Sequence, residues 1–380
     1  MEKILIPKER RAGETRVAAT PETVKRLIKD GFDLTIEAGA GEDSYLSDAA
    51  YEEAGAKVVS DASSAWSEAD VVLKVSPLSS AEVEALKPEA IVIGLLDPYR
   101  EPEMVRKLAS GRITSLAMEL VPRITRAQSM DALSSQANIA GYKAVLLGAS
   151  RLTRYFPLLM TAAGTIPPAR VVIMGAGVAG LQAVATAKRL GAVVEVSDIR
   201  EEVKEQVESL GGRFIDLPFE ESGEGTGGYA KEMTEDFLRR QREILTEHVG
   251  AADVVITTAQ VPGKQAPRLL TLDMVNAMRP GAVVVDLAAE QGGNCELSRA
   301  GEEVVHDGVL ILGPVNLAAS MSHDASMVYA RNVLALLQGM MKDETIQIDL
   351  EDEVVAGSLL THAGEIAHAP TAEKLQGEQP

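Results

Sequence analysis

Short apolar runs alternate with stretches of helical spacing along nearly the whole chain. Lys3–Pro7, Asp33–Glu37, Asp70–Val75, Ala90–Leu95 and Ile113–Met118 are compact and rich in Ile, Val and Leu, and they read as buried strands. Pro21–Lys29, Ala81–Leu86 and Glu103–Ser110 read as helices between them, the first with Thr20 as N-cap and proline at its first position. A long helix is expected to begin near Asp131 or Ser134 and to run through Tyr142 to about Arg154. The strand pattern then resumes at Ala169–Met174, Val193–Val196, Ala252–Thr257, Ala282–Leu287 and Val309–Leu312. A final helical pattern, Ala325–Met341, is expected to return to the first half together with the segment after it, and TAEKLQGEQP reads as a frayed tail.

Alternation of this kind implies an α/β fold with two doubly wound parallel-sheet domains. The expected division is 1–133 completed by 325–380, and 134–324 including the connecting helix. No internal repeat is visible, and the acidic, glycine-rich stretch Glu220–Met233 reads as an exposed, mobile loop.

Composition narrows the function classes. Lysine and arginine total 37 against 56 acids, a net charge of −19, which repels nucleic acid and anionic lipid surfaces. The single cysteine, Cys295, excludes an internal disulfide and fits a reducing cytoplasmic compartment. The start of the chain has no signal-peptide core, and the most apolar stretch, near Val171–Ala187, is interrupted by glycines and Gln182, so no direct membrane insertion is expected. The five histidines (His248, His306, His323, His362 and His368) have no ligand-like spacing, and no metal is expected.

The strongest local signal spans residues 170–200. An apolar strand runs into Gly175-Ala176-Gly177-Val178-Ala179-Gly180, which opens a helix, and the next strand ends in Asp198. The first glycine allows the tight turn, Gly177 lets a pyrophosphate approach the backbone, and Gly180 permits close helix–strand packing. Asp198 stands where a carboxylate accepts from the adenine-ribose hydroxyls and repels a 2′-phosphate, which favours NAD(H), although Arg200 lies two residues on. The second domain is therefore expected to be a Rossmann NAD-binding domain, and the first to be flavodoxin-like.

The segments PKERRAGETRVAATP (7–21), MELVPRITRAQSMDALSSQANIAGYKAV (118–145), TAAGTIPPARV, GGYAKEM, TTAQVPGKQAP and DLAAEQGGNC narrow the family. Together they resemble the alanine dehydrogenase and proton-translocating NAD(P) transhydrogenase family, and in detail its separate NAD(H)-binding alpha subunit. The resemblance runs from residue 1 to about 340. It implies that Arg123 and Asp131 hold each other and position the nicotinamide, and that Gln128 faces the partner's nicotinamide. It implies further that Leu133, Ser134 and Ser135 flank the ring, with Tyr142 nearby. By the same resemblance Ile199 and Arg200 are expected to join Asp198 at the adenosine end, Gly228 and Tyr229 to close over the nucleotide, and Gln260 to line its cleft. On residue type alone, the favoured reading of Asp131 or Ser134 is a cap of the following helix.

The same resemblance implies NADP(H) on a partner domain or beta subunit, a membrane-spanning partner that couples hydride transfer to proton translocation, and a homodimer peripheral to the inner membrane. The competing expectation is an alanine dehydrogenase-like oxidoreductase, for which Arg16 and Lys74 match the substrate-binding cations. That chemistry needs an acid/base residue. No histidine precedes His248, the expected stretch reads IVIGLLDPY (91–99), and Glu290 replaces an expected aspartate. Hydride transfer between two nicotinamides has no such need. A third expectation is a non-catalytic NAD(H)-binding protein.

Overall fold

The computed structural model describes residues 1–217, 235–261, 263–342 and 345–377. They divide into two compact units, 1–136 with 318–380, and 137–317. The first division falls inside the Ala132–Arg151 helix, which gives its opening turn to one unit and its remainder to the other.

In the first unit six parallel strands, β1 (Lys3–Ile6), β2 (Asp33–Glu37), β3 (Lys57–Val59), β4 (Val71–Leu73), β5 (Ile91–Gly94) and β6 (Thr114–Ala117), lie in the order β3-β2-β1-β4-β5-β6. Successive residues feed opposite faces: Ile4 and Ile6 enter one apolar cluster with Val71 and Leu73, and Leu5 enters another with Val72 and Val92. Both faces are covered, so β1, β4 and β5 are near-continuous apolar runs instead of alternating. The helix Pro21–Lys29 begins where expected, with Thr20 and Thr23 closing a capping box.

The strand order is 3-2-1-4-5-6; with the short edge strand β3 set aside, the remaining five follow the 2-1-3-4-5 order expected of a flavodoxin-like domain. β3 has three residues whose side chains are half-buried or exposed, too short and too polar to signal itself in sequence. A correction concerns the C-terminus. Leu359–His362 pairs antiparallel with β6 and with Glu365–Ile366, and a helix, Ala369–Gly377, follows. Leu375 is buried in it, so 371–377 is part of the fold and not a tail.

In the second unit a small hairpin, β7 (Leu159–Thr161) with β8 (Gly164–Ile166), precedes the main sheet. That sheet is built from β9 (Arg170–Met174), β10 (Val193–Ser197), β11 (Arg213–Phe214), β12 (Val254–Thr257), β13 (Val283–Asp286), β14 (Glu303–His306) and β15 (Val309–Leu312). Its order is β11-β10-β9-β12-β13-β15-β14, parallel except for β14 at the edge. Its parallel strands repeat the first unit's order without any sequence repeat. In both sheets the chain reverses direction between the first and fourth strands, and ligands of such folds bind beyond the strand C-termini at that point. No helix among the described residues is long and apolar enough to cross a membrane.

Candidate functional site

The glycine turn follows β9, the first strand of the second sheet. Gly175 has φ +108°, a backbone conformation that side chains resist, and a Cβ there would lie 2.5 Å from Thr258 Oγ1. A Cβ on Gly180 would lie 1.9 Å from the Gly175 carbonyl oxygen. These two glycines are demanded by the fold. Gly177 is different: its backbone is extended, and none of the described residues comes within 4 Å of where its Cβ would be. The protein leaves that space open beside the first turn of the Val178–Arg189 helix, which no side chain caps. Uncapped amides and the positive end of the helix dipole suit a phosphate. Bare backbone at this point therefore fits the pyrophosphate of a dinucleotide.

Asp198 closes the next strand's C-terminal end. Its Oδ2 accepts from the Ala176 amide at 2.6 Å and its Oδ1 from the Arg200 amide at 2.9 Å, tying the acid to the glycine turn. Arg200 folds back, with Nε 3.1 Å from Oδ1 and a terminal nitrogen 3.2 Å from Oδ2. Burial opposes ionisation, but the hydrogen bonds from Arg200 and Ala176 and the guanidinium charge outweigh it and hold the Asp198 carboxyl below its usual range. The acid is thus ionised and oriented at neutral pH, with Ile199 and Val178 exposed beside it. Arg200 is engaged with Asp198, the acid that a 2′-phosphate would meet.

Sequence reasoning missed the brace under Gln260. Asp286, wholly buried at the end of β13, accepts from Thr257 Oγ1 and from the amides of Ala288 and Cys295, each at 2.9 Å. Asn294, also buried, accepts from the Ala259 amide and donates to the Ala259 and Pro267 carbonyls. These contacts fix the segment after β12, on which exposed Gln260 donates to the Leu287 carbonyl at 2.6 Å. The only sequence signal was an Asp and an Asn flanking Gln-Gly-Gly, with nothing to show that they face TTAQ. Gly228 and Tyr229, with the expected mobile loop Glu220–Met233, lie outside the described residues.

The remaining expected residues lie on the first unit. A 3-10 segment, Thr125–Met130, carries exposed Gln128 and follows exposed Arg123. Asp131 Oδ1 accepts from the Ser134 amide at 2.8 Å and Oδ2 from the Ser134 hydroxyl at 2.6 Å, capping the Ala132–Arg151 helix. Among the described residues no Arg123–Asp131 pair is formed; the Asp131 carboxylate serves the helix cap. Leu133 is partly exposed, Ser134 and Ser135 are half-buried, and Tyr142, on the other unit's share of that helix, is half-buried too.

Arg16 and Lys74 sit beyond the C-terminal ends of β1 and β4, and both are satisfied by the chain's own acids. Arg16 makes two bonds to Glu14, Nε to Oε1 at 2.8 Å and a terminal nitrogen to Oε2 at 2.7 Å, while its other terminal nitrogen donates to Gln136 at 2.9 Å. Lys74, almost wholly buried, lies 3.2 Å from Glu9 and 2.8 Å from Glu82. Glu290 is exposed on the second unit and accepts from the Asn316 amide. No group of three His, Cys, Asp or Glu among the described residues could hold a metal ion.

Comparison with known proteins places this geometry among relatives. The family described as Alanine dehydrogenase/PNT, C-terminal domain, matches residues 144–369, and Alanine dehydrogenase/PNT, N-terminal domain, matches 5–140. A Rhodospirillum rubrum protein, named as the first part of an NAD(P) transhydrogenase subunit alpha, is 50% identical over 375 residues, covering 96% of this chain and 98% of that one. A transhydrogenase structure from Sinorhizobium meliloti superposes with TM-score 0.88 at 46% identity, over 96% of this chain and 100% of the other. An L-alanine dehydrogenase structure superposes with TM-score 0.82 at 27% identity, over 99% of each.

Proposed function

The chain belongs to the alanine dehydrogenase/PNT family, and from that premise we propose that it is the NAD(H)-binding component of a proton-translocating nicotinamide nucleotide transhydrogenase. NADH supplies the hydride, and the acceptor is NADP⁺ on a separate partner domain. The bare backbone at Gly177 beside the uncapped amides of the Val178–Arg189 helix supports the nucleotide part of the reading, because a pyrophosphate can approach those amides without meeting a side chain. The helix amides beside it take the pyrophosphate, and Asp198 takes the adenine ribose. Arg123, Gln128 and Asp131 address the nicotinamide; Gln128, whose side chain is solvent-exposed, faces the partner in this reading. Between the family's two activities, the self-neutralised state of Arg16 and Lys74 favours transhydrogenation, which needs no cation for a substrate carboxylate and no proton donor.

The test is spectroscopic. With an NADP⁺-loaded partner domain, oxidation of NADH should require both proteins, and Gln128→Asn should slow transfer about tenfold or more while NADH affinity changes less than about threefold. NADH oxidation on adding pyruvate and ammonia, without the partner, would replace this reading with the amino-acid one. NADH binding without either reaction would leave a nucleotide-binding protein.

The proposal extends to assembly: a homodimer, held to the cytoplasmic face of the inner membrane by a membrane-spanning partner that couples transfer to proton translocation. The β7–β8 hairpin supports the dimer. In a chain with net charge −19, residues 156–169 contain no charged side chain, and Tyr155, Leu158 and Met160 are exposed. A two-stranded ribbon is marginal alone and gains stability when a neighbour covers it, and a second identical hairpin is the simplest uncharged neighbour. Met160→Lys with Leu158→Lys should shift the sedimenting species from dimer to monomer. A wild-type monomer, or a dimer unaffected by the two lysines, would remove the hairpin from the interface.

A further inference from the structure

The 3-10 segment that carries Gln128 is short, and its outer residues face solvent, so something must hold it in one register. Its inward residues, Ala127 and Met130, enter the first unit's core. Met130 lies against Gly339 of the Ser322–Met340 helix, where a Cβ would come within 3.0 Å of the Met130 methyl. On its outer flank Arg126 forks onto Asp352, with nitrogens 3.0 and 2.7 Å from the two carboxylate oxygens, while Asp352 caps the helix Glu353–Ser358. The remaining attachment is Asn332, a buried amide in the middle of the Ser322–Met340 helix. Its Nδ2 donates to the Ser129 carbonyl at 2.8 Å, and its Oδ1 accepts from the Ser135 hydroxyl at 2.7 Å.

We propose that Asn332 is a positioning residue for hydride transfer: the two ends of its amide clamp residues 129 and 135, and so fix the turn between them that carries Asp131, Leu133 and Ser134. This rests on the assignment of that turn to the nicotinamide. An amide suits the task because one end donates and the other accepts, matching a backbone carbonyl on one side and a hydroxyl on the other. An isosteric leucine or a shorter alanine would leave the Ser129 carbonyl without its buried donor and free the segment to shift. Displacements well under the size of an atom matter to a transfer that depends on contact between two rings.

The experiment uses the full chain with its partner domain and reads three quantities on Asn332→Ala and Asn332→Asp. For alanine, transfer at saturating nucleotide should fall about tenfold or more, NADH affinity should stay within about threefold, and amide hydrogen exchange across 129–135 should accelerate about tenfold. The rest of the 322–340 helix should keep its protection. Aspartate keeps the acceptor for Ser135 and loses the donor to Ser129, so accelerated exchange should be confined to 128–131. If Asn332→Ala does not fold, Ser135→Ala removes one arm of the clamp from a half-buried position and should accelerate exchange at 132–135. Unchanged exchange, or equal losses in transfer and affinity, would overturn the assignment. A wild-type protein that transfers no hydride would sink the proposed function instead, since exchange reads the clamp independently.

Discussion

Gly177→Ala should lose most of its NADH affinity and almost none of its stability. A Cβ at this position meets none of the described residues, and the extended backbone accepts any residue. Glycine is a better N-cap than alanine, so the expected stability cost is at most about 1 kcal/mol, a shift of a few degrees in the unfolding midpoint. The methyl group enters the space assigned to the pyrophosphate and pushes it off the helix amides. Loss of one or two charge-assisted hydrogen bonds costs about 2–4 kcal/mol, or roughly 30- to 1,000-fold in Kd. Gly180→Ala is the control with the opposite origin. Its Cβ would stand 1.9 Å from a backbone oxygen, so the turn itself must move and the protein should unfold several degrees earlier. Titration calorimetry and thermal unfolding on both variants decide the matter. Intact NADH binding in Gly177→Ala would remove the pyrophosphate from the turn.

Much of the fold was legible because its strands are buried on both faces and its helices carry capping residues. β2 and β15 begin and end where the sequence placed them, and so does the Thr20-capped helix. What escaped was either short or dependent on distant partners. β3 and the antiparallel Leu359–His362 hairpin carry little apolar periodicity, and their pairing is decided by which edge of the sheet is open. The glycine turn was legible as a motif, but only the structure separates Gly175 and Gly180, which the chain itself requires, from Gly177, which it does not. Asp131 shows the limit of resemblance. The family implied an arginine partner, whereas local chemistry gives the carboxylate to the helix three residues on. Asn332 was illegible for a different reason: a buried mid-helix asparagine is informative only once its partners, about two hundred residues away, are known.

Glu119 should make the protein lose stability as pH rises from about 4.5 to 7. Its carboxyl is buried although part of the residue reaches the surface, and Oε2 has no hydrogen-bond partner among the described residues. Burial pushes its pKa up from 4.5 to about 7, and the Asp97 carboxylate adds to the effect, against hydrogen bonds from backbone amides including that of Asp97. The folded state therefore binds this proton more tightly than the unfolded chain. Below 4.5 both states are protonated and nothing is lost. Between 4.5 and 7 the unfolded chain releases its proton first, so unfolding becomes progressively easier, and above 7 the effect levels off. The full shift corresponds to on the order of 3 kcal/mol. Glu119→Gln cannot ionise, so its stability relative to the parent should rise by about that amount between pH 4.5 and pH 8. Denaturant unfolding of both proteins at the two pH values measures the difference directly. Parallel pH profiles would mean that Glu119 ionises in the folded protein as an ordinary carboxylate. The expected divergence would make the turn at Asp97, whose φ is +44° and whose amide donates to Glu119, a part of the first unit sensitive to neutral pH.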